Sequence, residues 1–309
     1  MKPYYFILLA LTSLGVISCN STQNQAQLLE EYNEGAPKAI SLFEKGKAEE
    51  EKGDIRSAAK IYDRLATIYP AYKQSAEASF NAGQHWEKLG EPMKAFESYQ
   101  QYITTYRSGR NYSSALDRQS AIAFSAAKGE LVQSFLGLKT EPDYPEVIGL
   151  LQKLRDNAPA TDLAARTQFA MGTYSERKDK IEEAVRAYFR LVDTYPRHSL
   201  APEANLRAAK VMAGISERGN QNSSNLKNSR DTLQDLIHQY PNSTQAKEAK
   251  TLLSEVDGID VRRTYDIADF YEKKGKISSA RYYYEEVVSK SQSGSHYHNL
   301  ALDKLNSLQ

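Results

Sequence analysis

The chain has 309 residues, 40% of them apolar and 26% charged, which is the make-up of a folded protein of one or two domains. Its formal net charge is +1, and Lys2 is the only charge ahead of Cys19, so the chain from Cys19 onward carries 39 basic against 39 acidic residues. No basic surplus exists to drive nucleic-acid binding, and no low-complexity block or long Gly or Pro tract interrupts the sequence.

The first 18 residues differ in kind from the rest. A short charged start, Met1-Lys2, leads into an apolar run from Tyr4 to Ile17. That run is too short for a spanning helix of about 20 residues and suits a signal peptide. It ends in Val16-Ile17-Ser18-Cys19, which resembles the lipobox of bacterial lipoproteins, with Val16 where Leu is commoner. The resemblance implies cleavage before Cys19, palmitoylation or a related acylation of that residue, and a membrane contact through the lipid anchor only. Cys19 is the only cysteine in the protein. Asn20 is not the Asp that favours retention at the inner membrane in enterobacterial lipoproteins, so the resemblance implies an outer-membrane address on the periplasmic side. Residues 19–36 carry little hydrophobic pattern and read as a tether.

From residue 37 to 309 the sequence predicts an all-α solenoid of helical hairpins, about six repeats with a capping helix. The clearest hairpin is Ala76–Arg107. There Gly83 is followed by Gly90 after seven residues, by Ala95 after twelve and by Tyr99 after sixteen. Gly46, Gly53, Ala58 and Tyr62 keep the same intervals, as do Gly172, Asp179, Ala184 and Tyr188, and again Ala268, Gly275, Ala280 and Tyr284. Small residues allow two helices to approach closely, and a Tyr four residues after the Ala lies on the same face, one turn on. The expectation is that this Tyr fills the gap toward the next hairpin. Pro70, Pro196 and Pro241 each follow a Tyr and stop a second helix. The pattern resembles the tetratricopeptide repeat, with Tyr for Phe in its A-x3-F step.

Between these anchored repeats the reading is coarser. A third pair runs from about Tyr112 to Pro159, without the anchor intervals and with residues 141–146 as its turn. The fifth, residues 202–241, carries a polar stretch, 216–229, read as an edge loop. The sixth begins near Val261, after a separate helical stretch, and HNLALDKLNSL closes the chain as a cap.

No catalytic constellation appears: no G-x-S-x-G, no P-loop, no H-E-x-x-H and no second cysteine. His296 and His298 lack a ligand partner at metal spacing, so the sequence predicts neither an enzyme nor a metal or other cofactor. What remains is a surface. Phe43, Phe80, Phe169 and Tyr265 stand three residues before each small anchor, and Lys47, Gln84, Thr173 and Asp269 stand one turn further on. They are either core between repeats or the anchors and polar rim of a peptide-binding groove.

Two segments carry a closer likeness. Residues 261–290, with the core Asp269-Phe270-Tyr271 to Gly275, resemble the BamD lipoproteins of the β-barrel assembly machinery, as does the hairpin from Ala76. Six repeats rather than five are a departure from that family. The resemblance implies an outer-membrane scaffold whose partners are proteins, among them a BamA-type barrel assembly factor and unfolded outer-membrane proteins. A repeat lipoprotein serving envelope maintenance, linked to Tol-Pal or to peptidoglycan, is the alternative.

Overall fold

The structure is a computed structural model; it describes residues 37–131, 133–135, 138–217 and 223–308. The signal-peptide and tether segments, and Cys19 with them, lie outside the described residues. Within those described, no helix is long and apolar enough to cross a membrane.

Among the described residues thirteen helices follow one another, as six antiparallel pairs and a closing helix. In the first compact unit, which ends at Asn157, they are α1 (residues 37–51), α2 (Ile55–Ile68), α3 (Ser75–Lys88), α4 (Pro92–Thr105), α5 (Tyr112–Lys128) and α6 (Tyr144–Asn157). The second unit starts at Ala158. It holds α7 (Asp162–Arg177), α8 (Ile181–Thr194), α9 (Ala201–Glu217), α10 (Ser223–Gln239), α11 (Thr244–Lys273), α12 (Ile277–Lys290) and α13 (His296–Ser307). Among the described residues the one further element is a ribbon between α5 and α6. There β1 (Gln133–Phe135) pairs antiparallel with β2 (Leu138–Thr140), with Gln133 opposite Thr140.

The turn inside each anchored hairpin follows from backbone sterics. Gly53, Gly90 and Gly275 have φ of +82°, +68° and +68°, a region open to residues without Cβ, and Asp179 takes the same role at +55°. Asp54 then caps α2 by accepting the Ser57 amide at 3.0 Å. The small anchors lie where close approach requires them. A Cβ added to Gly46 or Gly172 would stand 2.5 Å from the ring of Tyr62 or Tyr188, and one on Gly83 would overlap Tyr99. The Tyr therefore packs across its own hairpin, onto the glycine of the first helix, and also meets the next hairpin as expected: Tyr62 stacks on His85 at 5.9 Å, and Tyr188 shares an apolar cluster with Ala201, Ala204 and Ala208. All four tyrosines, Tyr62, Tyr99, Tyr188 and Tyr284, are fully buried.

Neighbouring hairpins within a unit meet through further apolar layers. Leu65, Tyr72, Ala78 and Ala82 join α2 to α3; Leu191, Ala201, Ala204 and Ala208 join α8 to α9. Tyrosines at the ends of second helices add a bond backward. Tyr106 donates to the Pro70 carbonyl at 3.0 Å, and Tyr240 to that of Pro196 at 2.8 Å.

Two expectations are corrected. The polar stretch 216–229 is not an edge loop through its length: α9 continues to Glu217 and α10 begins at Ser223. Leu226, Leu233 and Leu236 give α10 a buried stripe, and Ser229 donates to the Ala209 carbonyl at 2.9 Å. Burial outweighs the poor helix propensity of Asn and Ser. Likewise the helix before Val261 is not separate from the sixth repeat, because α11 runs unbroken for 30 residues. The residue against helix there is Gly258, worth about 1 kcal/mol. Against it, Val256 and Val261 are buried on either side, and Arg230 of α10 pairs with Asp257 at 2.6 Å and Asp260 at 3.5 Å.

Candidate functional site

The four aromatics predicted to line a groove lie against the tyrosine of their own hairpin. Ring centroids are 6.0 Å apart for Phe43 and Tyr62, 5.7 Å for Phe169 and Tyr188, and 5.4 Å for Tyr265 and Tyr284. Phe80 packs on both Tyr99 and Tyr102 and keeps 8% of its surface, so it belongs to the core of its hairpin. Phe43, Phe169 and Tyr265 are half-buried, each with part of the ring open. Of the polar set, Lys47 is exposed and Gln84 is half-buried. Asp269 is held by Lys273 at 2.6 Å. Thr173 lines a cleft.

The cleft lies between α7 and α9 and has a volume of about 430 Å³. Ile181, Val211 and Gly214 line it together with the charged Glu176, Arg177, Asp179, Arg207 and Lys210. Arg207 bonds Glu203 at 3.0 Å and Glu176 at 3.4 Å, with its guanidinium 5.6 Å above the ring of Phe169. Lys210 pairs with Glu248 at 2.6 Å. The α9 residues, Arg207 and Lys210, carry no signal in the sequence, because α9 lacks the anchor intervals.

Glu176 belongs to a device that recurs along the chain. In three hairpins the buried Tyr hydroxyl donates to the Glu four residues after the small anchor: Tyr62 to Glu50 at 3.0 Å, Tyr188 to Glu176 at 2.7 Å and Tyr284 to Glu272 at 2.6 Å. Burial, and the carboxylate beside it, push each phenol well above its ordinary pKa, so it stays a donor. Each Glu also meets a base from a later first helix or the cap: His85 at 3.4 Å from Glu50, Arg207 on Glu176, and Lys304 at 2.9 Å from Glu272. In the remaining anchored hairpin Arg118 bonds Glu87, and the Tyr99 hydroxyl lies beside both without a well-formed hydrogen bond. The device joins one hairpin to the next and fixes the first helices that line the cleft.

Among the described residues no three His, Cys, Asp or Glu side chains gather in a way that could hold a metal ion. His298 instead lies with Nδ1 3.0 Å from the Ser291 hydroxyl.

Antiparallel hairpins, four of them closed by a small residue under a tyrosine, define a repeat protein of the tetratricopeptide type, and residues 41–72 match the tetratricopeptide repeat itself. Residues 139–305, more than half of the chain, match the YfiO outer membrane lipoprotein family, and the chain belongs to that family. No curated protein sequence matches it. Among solved structures it is similar to the C-terminal part of a TPR repeat-containing protein from Cytophaga hutchinsonii, with 15% identity, 92% of this chain and 96% of that one covered, and a TM-score of 0.35. PilF of Pseudomonas aeruginosa is similar at 14% identity, with 87% and 99% covered and a TM-score of 0.28. The fold assignment rests on the hairpins themselves, not on these distant likenesses.

Proposed function

We propose that this protein is a non-catalytic scaffold of β-barrel assembly, anchored through acylated Cys19 to the periplasmic side of the outer membrane. The family match over residues 139–305 carries the reading. The lipobox-like Val16-Ile17-Ser18-Cys19, holding the only cysteine of the chain, supports the anchor. Proteins are the partners: a BamA-type assembly factor and unfolded outer-membrane proteins. The α7–α9 cleft supports binding of an extended segment, since its mixed apolar and charged lining suits a strand whose side chains alternate in character.

Mild cross-linking in intact envelopes, followed by purification of the full chain, tests the reading. Barrel-assembly subunits and unfolded barrel proteins are the expected products. Recovery of Tol-Pal or peptidoglycan-associated proteins in their place would transfer the protein to envelope maintenance. Fatty-acid labelling of wild type against Cys19→Ala tests the anchor separately, and equal label in both would remove it.

A further inference from the structure

We propose that the exposed aromatic face of the α11–α12 hairpin is a docking site for an acidic segment of a partner protein. Four rings form an unbroken chain across the two helices. Phe270 meets Tyr271 edge-on at 5.6 Å, Tyr271 stacks on Tyr283 at 5.5 Å with 2° between the planes, and Tyr283 meets Tyr282 edge-on at 5.2 Å. The outer members stand in solvent, with Phe270 54% and Tyr282 62% exposed. The aliphatic Ile267 and Ile277 of the same two helices are exposed as well. The hairpin is closed by Ala268 and Ala280 under the buried Tyr284, and the inner rings Tyr271 and Tyr283 pack against that core. The outer members, Phe270 and Tyr282 with Ile267 and Ile277, are thus surplus to that core.

The charges around it say what covers it. Four cations of this hairpin and of the cap are matched within the fold: Lys273 by Asp269 at 2.6 Å, Lys290 by Glu286 at 2.6 Å, Lys304 by Glu272 at 2.9 Å and Arg281 by the Leu308 carbonyl at 3.2 Å. Lys274 and Lys276 are not. Their ammonium groups lie over rings of the patch, 5.7 Å from the centroid of Phe270 and 5.9 Å from that of Tyr271, with no carboxylate in ion-pair range among the described residues. Elsewhere a lysine above a ring also has its carboxylate, as Lys94 over Trp86 has Glu91 at 3.2 Å and Lys153 over Phe96 has Glu97 at 2.6 Å.

Two unmatched cations fixed on an exposed aromatic platform complement carboxylates that flank apolar side chains. Covering the rings would desolvate both ion pairs and strengthen them. Tyrosine, large and stiff with a hydroxyl at its tip, favours a protein occupant over a lipid surface. The face shares no residue with the α7–α9 cleft, and it stands whether or not the barrel-assembly reading does.

The test places the photo-crosslinker p-benzoylphenylalanine at position 282 of the full chain, in its native envelope, where an exposed ring leaves the fold unaltered. The expected result is an adduct to a protein segment whose mapped peptide carries carboxylates. Its yield falls at least tenfold in the Lys274→Glu, Lys276→Glu double variant. The Lys247→Glu, Lys250→Glu double variant, equal in charge on exposed positions of the first half of α11, leaves the yield unchanged. Adducts to lipid, a mapped peptide without acidic residues, a yield indifferent to the reversal at 274 and 276, or no adduct would each overturn the proposal.

Discussion

Within the first unit, the α3–α4 hairpin and the α5–α6 pair solve the same problem in different ways. The α3–α4 hairpin is closed by shape: Gly83 lies under the ring of Tyr99, and nothing larger than hydrogen fits between them. No such anchor exists in α5–α6. Instead Gln119, fully buried, donates to Gln100 Oε1 at 2.7 Å, and Asn157 donates to both glutamines at 2.8 Å. This amide triangle ties α4, α5 and α6 together. Contact by shape tolerates no added atom, whereas contact by hydrogen bonds tolerates no unpaired group. The first is written in the sequence as a fixed interval, and the second is not.

The largest effect is expected from Gly83→Ala, which drives a methyl group into a ring that cannot retreat. It should destabilise the chain by about 3 kcal/mol, the upper end for overpacking, read as the midpoint shift in urea unfolding. A loss under 1 kcal/mol would show that α3 and α4 can part without cost. Gln119→Leu attacks the other solution. It removes two hydrogen bonds, one from Gln100 and one from Asn157, which still bond each other, and should lower stability by about 2 kcal/mol. A neutral outcome would mean that the triangle is decoration on an apolar contact.

Smaller effects sharpen the contrast. Tyr188→Phe deletes a hydroxyl bonded to Glu176 and should cost about 1.5 kcal/mol, while Tyr99→Phe, whose hydroxyl makes no well-formed hydrogen bond, should cost close to nothing. Equal losses in thermal melts would dissolve the distinction. Gly149→Ala within α6 points the other way, because an added Cβ there meets nothing within 4 Å. It should stabilise by roughly 0.5–1 kcal/mol through helix propensity. A loss instead would reveal a packing role for that glycine.

The smallest effect is a pH dependence. His85 is 3% exposed, with its ring stacked on Tyr62 and facing Glu50 and Lys88. Burial lowers its pKa below the ordinary 6.5, against the attraction of Glu50. The folded state therefore binds this proton less readily than the unfolded state does. Its contribution is whole above pH 6.5 and is lost as pH falls from there through the folded pKa. His85→Gln should flatten that part of the stability profile. Asp63 works in the opposite sense: burial raises its pKa, while the hydroxyl of Ser98 and the indole of Trp86 donate to it, each at 2.6 Å. Its share of stability accordingly falls as pH rises through the carboxylate range.

The candidate site was only half legible. Phe43, Phe80, Phe169 and Tyr265 could be found from their offset to the small anchors, yet whether such a ring faces a groove or its own Tyr turns on a helix rotation that spacing does not fix. Phe80 lies in the core, and the residues lining the α7–α9 cleft include Arg207 and Lys210, which no interval marks. The exposed run of rings on α11 and α12 was visible only as composition.

By itself the sequence determined the all-α hairpin architecture and the register of its anchored pairs. The reason is that Gly, turn and Tyr interact within sixteen residues, where backbone geometry alone decides what meets what. The tertiary structure decided that α11 runs unbroken through Gly258 and that α10 begins at Ser223. It also decided that Glu50, Glu176 and Glu272 each face a base 31 to 35 residues further along. Those outcomes depend on burial and charge contributed by neighbouring hairpins, and such contributions exist only once the hairpins have packed.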